Sequence, residues 1–250
     1  KKIINNIVKD DSRFKYQSSH NGNDNLNHKK RALDAGIKIA QYEWLLFTDV
    51  DCNFKINWIS SMAKYFTEKN DYIIGFSGVE IGSKYVTQFQ SIDYLILMIC
   101  ANGTTNLGSA WASSGQNQAY RKSLFNKVGG FNKISNELQG DDSLFLQICR
   151  KFSSINIQFV EDSGAQTLAR QEQSWKSLLN QRMRWSNDMN IMWKFNFIFY
   201  FFAVVTFSLQ VLIFVLLFSG ILKDTYYLFV LGQLLFVKLF FEFTLGCLGY

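Results

Sequence analysis

The sequence predicts an α/β fold with a mostly parallel sheet flanked by helices, followed by a C-terminal transmembrane helical hairpin. Two observations carry this. Up to about residue 160, short apolar runs of strand length alternate with stretches of helical periodicity, the pattern of a layered α/β domain. Across 195–222 no charged residue interrupts an apolar run longer than the ~20 residues needed to cross a bilayer. A globular part at 1–193 and membrane helices at about 195–222 and 225–250 are therefore expected.

Each element has its own warrant. Lys2-Ile3-Ile4 with Ile7-Val8 reads as an amphipathic helix. The start on Lys1 rather than Met, with no signal-peptide pattern, leads us to expect a fragment lacking its natural N-terminus. Residues 14–18 read as a strand, 27–40 as a helix, and 44–48 (WLLFT) as a buried strand that ends at the acidic pair Asp49-Val50-Asp51. In open α/β sheets, ligands gather outside the carboxyl ends of strands, which is where this pair falls. A helix at 58–66, a strand at 72–79 and an apolar helix at 86–100 follow. That last helix is expected in the core, with the membrane surface as the other reading. Residues 103–118, rich in Gly, Ser, Thr and Asn, read as a loop of the kind that carries ligand contacts. After 119–121 a short helix stops at Gly129-Gly130, and a helix opens at Asp141-Asp142. Short strands at 155–160 and 165–168 and a helix at 174–190 complete the globular part.

In the second apolar run, Lys238 and Glu242 are spaced by four and share one helical face. Either they pair inside a bundle or this helix lies partly at the interface. Arg182, Arg184 and Lys194 precede the first crossing, so the positive-inside rule puts the globular part in the cytoplasm, on an inner or plasma membrane.

Composition narrows the classes. With 250 residues, 48% hydrophobic and 24 Phe, the chain can bury one core and have apolar sequence left over, most of it C-terminal. A net charge of +6 suits an anionic nucleotide or an anionic leaflet. No basic stripe with interleaved aromatics is present, which argues against nucleic acid. The four cysteines are scattered, without a C-x-x-C pair, and only His20 and His28 could assist them, so no zinc site is expected and the thiols are read as reduced. Proline is absent, and we have no physical account of that.

The chemistry lies in five places. Asp49 and Asp51 flank one residue, so on an extended backbone both carboxylates project to one side and suit Mg²⁺ or Mn²⁺ completed by phosphates and water. D-x-D also arises by chance in loops. Asp142 is the candidate general base, its pKa raised by the like charge of Asp141; two carboxylates capping a helix give the same pattern. In Gln181-Arg182-Met183-Arg184-Trp185, positions 181, 184 and 185 crowd one helical face, where Arg184 could fork a diphosphate and Trp185 stack on a sugar. Arg182, on another face, reads as an interfacial anchor. Lys29, at the start of the first long helix, could attract phosphate, although a solvated basic turn looks the same. Gln116 and Asn117, in the polar loop, are candidate contacts to sugar hydroxyls.

Taken together, HKKRALDAGI, LLFTDVDC, SGQNQAYRKSLFNKVGGF, GDD and QRMRW resemble a membrane-associated family 2 glycosyltransferase, of the group that includes cellulose, chitin and hyaluronan synthases and ceramide glucosyltransferases. The resemblance covers nearly the whole chain. It implies a GT-A fold and an inverting mechanism, with Lys29 and Asp49 at the nucleotide, Asp49 and Asp51 at the metal and Asp142 as base. Gln181 and Arg184 carry over as diphosphate contacts and Trp185 as an acceptor contact. The family's first strand and nucleobase-binding acid are missing, and 169–173 stands where the family often has a proline. The expected partners are a nucleotide-sugar donor of the UDP-sugar type, a saccharide or lipid acceptor and the bilayer, with a homo-oligomer or synthase partner also open. A metal-dependent nucleotidyltransferase and a non-catalytic saccharide-binding subunit are the competing readings.

Overall fold

A computed structural model describes residues 11, 13–152 and 155–248. The chain divides into two compact units, 1–188 and 189–250. The amphipathic helix expected over the first eight residues lies outside the described residues.

The first unit is built on two small sheets. Strands β1 (Trp44–Phe47), β5 (Gln118–Arg121), β3 (Tyr72–Gly75) and β6 (Ile157–Val160) form one sheet in that spatial order; β2 (Cys52–Phe54), β7 (Thr167–Ala169) and β4 (Ser77–Val79) form the other. The α/β class holds, but the sheets are mixed rather than mostly parallel. β5 runs antiparallel to both β1 and β3, while β3 with β6 and β4 with β7 are parallel. The registers give the reason: Gln118, the first residue of β5, sits opposite Phe47 and Ile74, so the chain enters β5 at the carboxyl ends of its neighbours. The polar loop before β5 is thereby laid over those ends, beside Asp49.

Three chain segments leave the first sheet and enter the second: β1 to β2, β3 to β4, and β6 to β7. The run 72–79, expected as one strand, is thus two strands in two sheets. Asn117 holds two of these crossings. Its side-chain amide donates to Phe76 O at 2.8 Å and to Ala165 O at 2.7 Å, and its Oδ1 accepts from Trp58 Nε1 at 3.1 Å. A side chain on Gly75 would collide with it. The third crossing is the Asp49–Asp51 segment.

Helices pack around the sheets: α1 (His28–Ile39), α2 (Trp58–Ala63), α3 (Tyr85–Asn106), α4 (Lys122–Val128), α5 (Ser143–Arg150) and α6 (Trp175–Ser186). The core is aromatic where β5 meets α5, with Tyr120 and Phe145 ring centroids 4.9 Å apart, Phe125 tilted against Phe145 and Phe131 edge-on to it. Helix α3 runs past the expected end at 100, and the loop begins only at Leu107. Thr104 and Thr105 bond back to Cys100 O and Ala101 O at 2.8 and 2.6 Å, so residues that favour loops elsewhere continue the helix here. Among the described residues no strand forms at 14–18: Phe14 and Tyr16 alternate with polar residues, but the segment joins no ladder, and both rings are exposed.

The second unit holds α7 (Met189–Phe195), α8 (Phe197–Leu222) and α9 (Tyr226–Leu248). The helix expected over 174–190 is therefore two helices, interrupted after Ser186. Asn196 caps α8, its Oδ1 accepting from Phe199 N–H at 3.0 Å. Helices α8 and α9 are both long and apolar enough to span a bilayer, and they pair as a hairpin in which Gly220 lets the Leu228 backbone approach closely. The Lys238 ammonium meets the Glu242 carboxylate at 2.5 Å.

Candidate active site

A cavity of about 300 Å³ opens over the carboxyl end of β1. Five chain segments supply its walls: Lys29 from α1, Asp49 from the end of β1, Ser114 to Gln116 from the polar loop, Leu138 to Asp142 from the segment before α5, and Trp185 from α6. Residues far apart in sequence meet here because β5 carries the polar loop back over the sheet.

Lys29 is the hub. Its Nζ lies 2.7 Å from Asp49 Oδ1 and 3.0 Å from Asp141 Oδ2. Burial alone would depress its pKa; the carboxylates of Asp141 and Asp49 more than offset this and hold the ammonium above its ordinary value. Gly115 makes room for it, since a Cβ there would come within 2.9 Å of Lys29 Nζ and 3.3 Å of Asp141.

Asp142 is set by its position at the start of α5. Its Oδ1 accepts from Ser143 N–H at 2.6 Å and its Oδ2 from Gly115 N–H at 3.1 Å. It is a helix cap and also a cavity residue, so both readings of the acidic pair hold. Burial, then the negative Asp141, push its pKa up to about 6, with Lys29 pulling the other way. Gly140 has φ +92°, and a side chain there would strike Leu144, so the turn that aims the two acids requires glycine.

The Asp49–Asp51 segment is not extended. Cys52 N–H donates to Asp49 O at 3.2 Å, closing a turn as the chain passes between sheets, so the same-side argument from an extended backbone does not apply. Asp49 faces Lys29 in the cavity, whereas Asp51 is exposed. Among the described residues no three His, Cys, Asp or Glu side chains are grouped to hold a metal. The donor set nonetheless fits a hard cation: only carboxylate oxygens, one exposed, beside a pocket whose other cation is an ammonium.

The helix motif at 181–185 divides. Trp185 lines the cavity, edge-on to Tyr94 with centroids 5.8 Å apart. Tyr94 OH in turn donates to Gln116 Oε1 at 3.0 Å, so Gln116 does border the cavity with its side chain held. Gln181 lies outside it, in a polar network with Gln90 and Glu172. Arg184 is exposed and also outside. Arg182 is not a free anchor: it pairs with Asp93 and lays its guanidinium 4.3 Å over the Trp185 ring. Asn117 is fully buried with its amide and carbonyl both engaged, which makes it a sheet staple rather than a sugar contact.

Two residues were missed by sequence reasoning. Lys30 is fully buried and donates to Glu137 O and, at 2.8 Å, to Gln139 O, tying down the segment that leads into Asp141-Asp142. Its only signal was membership of a basic run, where one lysine looks like the next. Asp188 carries a buried carboxylate oxygen with no hydrogen-bond partner, and burial followed by the charge of Asp142 pushes its pKa up to about 7.

A basic hub, two adjacent acids, one of them with its pKa pushed up to about 6, and an aromatic platform line one cavity, and the chain is a glycosyltransferase. Residues 13–247 match glycosyl transferase family 21, and the chain belongs to that family. The glycosyltransferase expectation holds, and the match is to family 21, without confirming the expected family 2. No curated protein matches the chain.

Proposed function

We propose that the protein is an inverting, metal-dependent glycosyltransferase that moves a sugar from a nucleotide-sugar donor to a hydroxyl group of a membrane-associated acceptor. The observation that carries this is the convergence of Lys29, Asp49, Asp141, Asp142 and Trp185 on one cavity. Asp142 takes the proton of the acceptor hydroxyl. The oxygen then bonds to the anomeric carbon as the bond from that carbon to the donor phosphate breaks, and the electron pair leaves with the nucleoside diphosphate. One displacement inverts the centre. With a pKa of about 6, Asp142 is ionised at neutral pH yet basic enough to accept the proton.

Lys29, charged throughout the physiological range, binds the donor phosphates, which compete with Asp49 and Asp141 for its ammonium. Asp49 and Asp51 would hold Mg²⁺ or Mn²⁺, which would neutralise charge on the departing diphosphate. Trp185 offers a flat face to the acceptor sugar or headgroup. Arg184, exposed on α6 and outside the cavity, serves the diphosphate only once donor is bound.

The test is release of nucleoside diphosphate from a panel of UDP- and GDP-sugars by the protein in detergent, with Mn²⁺ and then with chelator. Chelator-sensitive turnover of one donor, lost in Asp142→Asn, is expected. Undiminished transfer by Asp142→Asn would remove the assigned base, and release of pyrophosphate instead would indicate nucleotidyl transfer.

A further inference from the structure

Helix α3 is apolar on two opposite sides, and the globular unit uses only one of them. Val86, Tyr94, Met98 and Ala101 face inward and are buried. Tyr85, Phe89, Ile92 and Ile96 follow one another at helical spacing on the outer side and are 85%, 52%, 61% and 44% exposed. A helix that is apolar all round is normally enclosed. Helix α6 repeats the pattern: Leu178 is buried and Trp185 lines the cavity, while Trp175, Leu179 and Met183 form an outer stripe, each more than half exposed. The two stripes adjoin, because the Phe89 and Trp175 rings lie 5.4 Å apart. The result is one continuous apolar face on two neighbouring helices, larger in kind than the isolated exposed side chains of an ordinary surface.

We propose that this face docks the catalytic unit onto the surface of a lipid bilayer. The inference rests on the membrane-anchored reading of α8 and α9 and goes beyond it, since an anchor requires no further lipid contact from the globular unit. Charge singles out lipid as the occupant. Lys84 and Lys176 flank the stripes and are exposed, as is Arg184 on the polar side of α6, whereas Asp93 is neutralised by Arg182 and Glu172 accepts from Gln181. Apolar and aromatic side chains rimmed by cations are the composition of helices that lie in the headgroup region of anionic membranes. Connectivity agrees. Only residues 187–196 separate α6 from α8, and a segment of that length reaches at most about 35 Å even when fully extended. Docking places the α6 helix, whose inner side bears Trp185, at the depth where a lipid-borne acceptor presents its headgroup.

The experiment uses the full chain with Cys100, the exposed native thiol among the described residues, replaced by serine. Single cysteines are introduced at Ile92, Leu179, Tyr42 and Val211, spin-labelled, and the protein is reconstituted in nanodiscs of phosphatidylcholine with phosphatidylserine. Collision with apolar oxygen is compared with collision with a water-soluble nickel chelate. Labels at Ile92 and Leu179 should favour oxygen several-fold, as should Val211 in α8, while Tyr42, 79% exposed and on neither stripe, should favour nickel. If Ile92 and Leu179 behave like Tyr42 while Val211 meets lipid, the docking face is wrong and the anchor stands. Labels shielded from both reagents would mean that protein covers the face, which also overturns the proposal. Nickel access at Val211 would overturn the anchored reading itself.

Discussion

The two acidic pairs of this chain look alike on paper and are different objects in the fold. Asp49 and Asp51 sit in a turn between two sheets, one facing an ammonium and the other water. Asp141 and Asp142 sit at a buried helix start, within a ring of backbone donors and cations, and one has its pKa moved to about 6. Residue type is the same, and solvation separates the roles. In the proposed function the turn pair would hold a hard cation, and the crowded acid at the helix start would accept the proton.

The harshest way to break the comparison is Asp142→Asn. Loss of general-base catalysis should lower kcat by about 10³-fold with little change in donor binding, read by steady-state kinetics and calorimetric titration of the donor. The same change should not cost stability at pH 8. A folded-state pKa raised by burial means the carboxyl stabilises the fold below its ordinary pKa near 3.8, and that contribution is lost as pH rises through about 6. The asparagine variant should therefore unfold at the same or a higher temperature at pH 8, and its advantage should vanish near pH 4. For the wild-type chain the rate should fall about tenfold per unit as pH drops below about 6.

Asp51→Asn attacks the exposed member of the turn pair. We expect a loss on the order of 10²-fold that excess Mn²⁺ partly restores, since one carboxylate and the donor phosphates remain. A loss as deep as that of Asp142→Asn, with no metal response, would erase the distinction between the pairs.

Lys30→Met tests whether the Asp141-Asp142 pair is held from behind. The variant keeps bulk but leaves Glu137 O and Gln139 O without their donor. Misaligned acids should lower kcat about tenfold and leave the donor KM nearly unchanged. Removing a buried cation should also move the acid limb of the pH profile upward. Lys30→Arg should recover part of the rate. A uniform loss of folded protein with a normal profile in the remainder would reduce Lys30 to packing.

Much of this was legible in the chain. Strand 44–48, the helix from His28, the Gly129 stop and the two apolar helices follow from local periodicity, and they appear where periodicity puts them. What could not be read depends on partners distant in sequence. The reversed entry of β5, the split of 72–79 between two sheets and the staple role of Asn117 are decided by pairing, which no local pattern encodes. Lys29 and Lys30 are adjacent and chemically identical; only the fold sends one to the cavity and the other to two carbonyls. Conversely, Thr104 and Thr105 misled by composition, because hydroxyls that favour loops can also bond back along a helix.

The smallest effect sharpens the comparison at its rim. Sequence spacing put Arg182 on the wrong side of its helix for catalysis, yet its guanidinium stacks on Trp185 and is fixed there by Asp93. Such a contact is worth ~0.5–1 kcal/mol at a partly exposed site, which corresponds to a change of about two- to fivefold. Arg182→Ala should therefore raise the acceptor KM by that factor, leaving the chelator response and the pH limb near 6 untouched. Arg182→Lys keeps the charge but not the plane and should recover only part of the loss. Asp93→Asn should reproduce the effect in milder form, because it frees the guanidinium without removing it. If instead Arg182→Ala collapses kcat while the acceptor KM holds, the arginine acts on the leaving group, and Trp185 is its support rather than a platform for the acceptor.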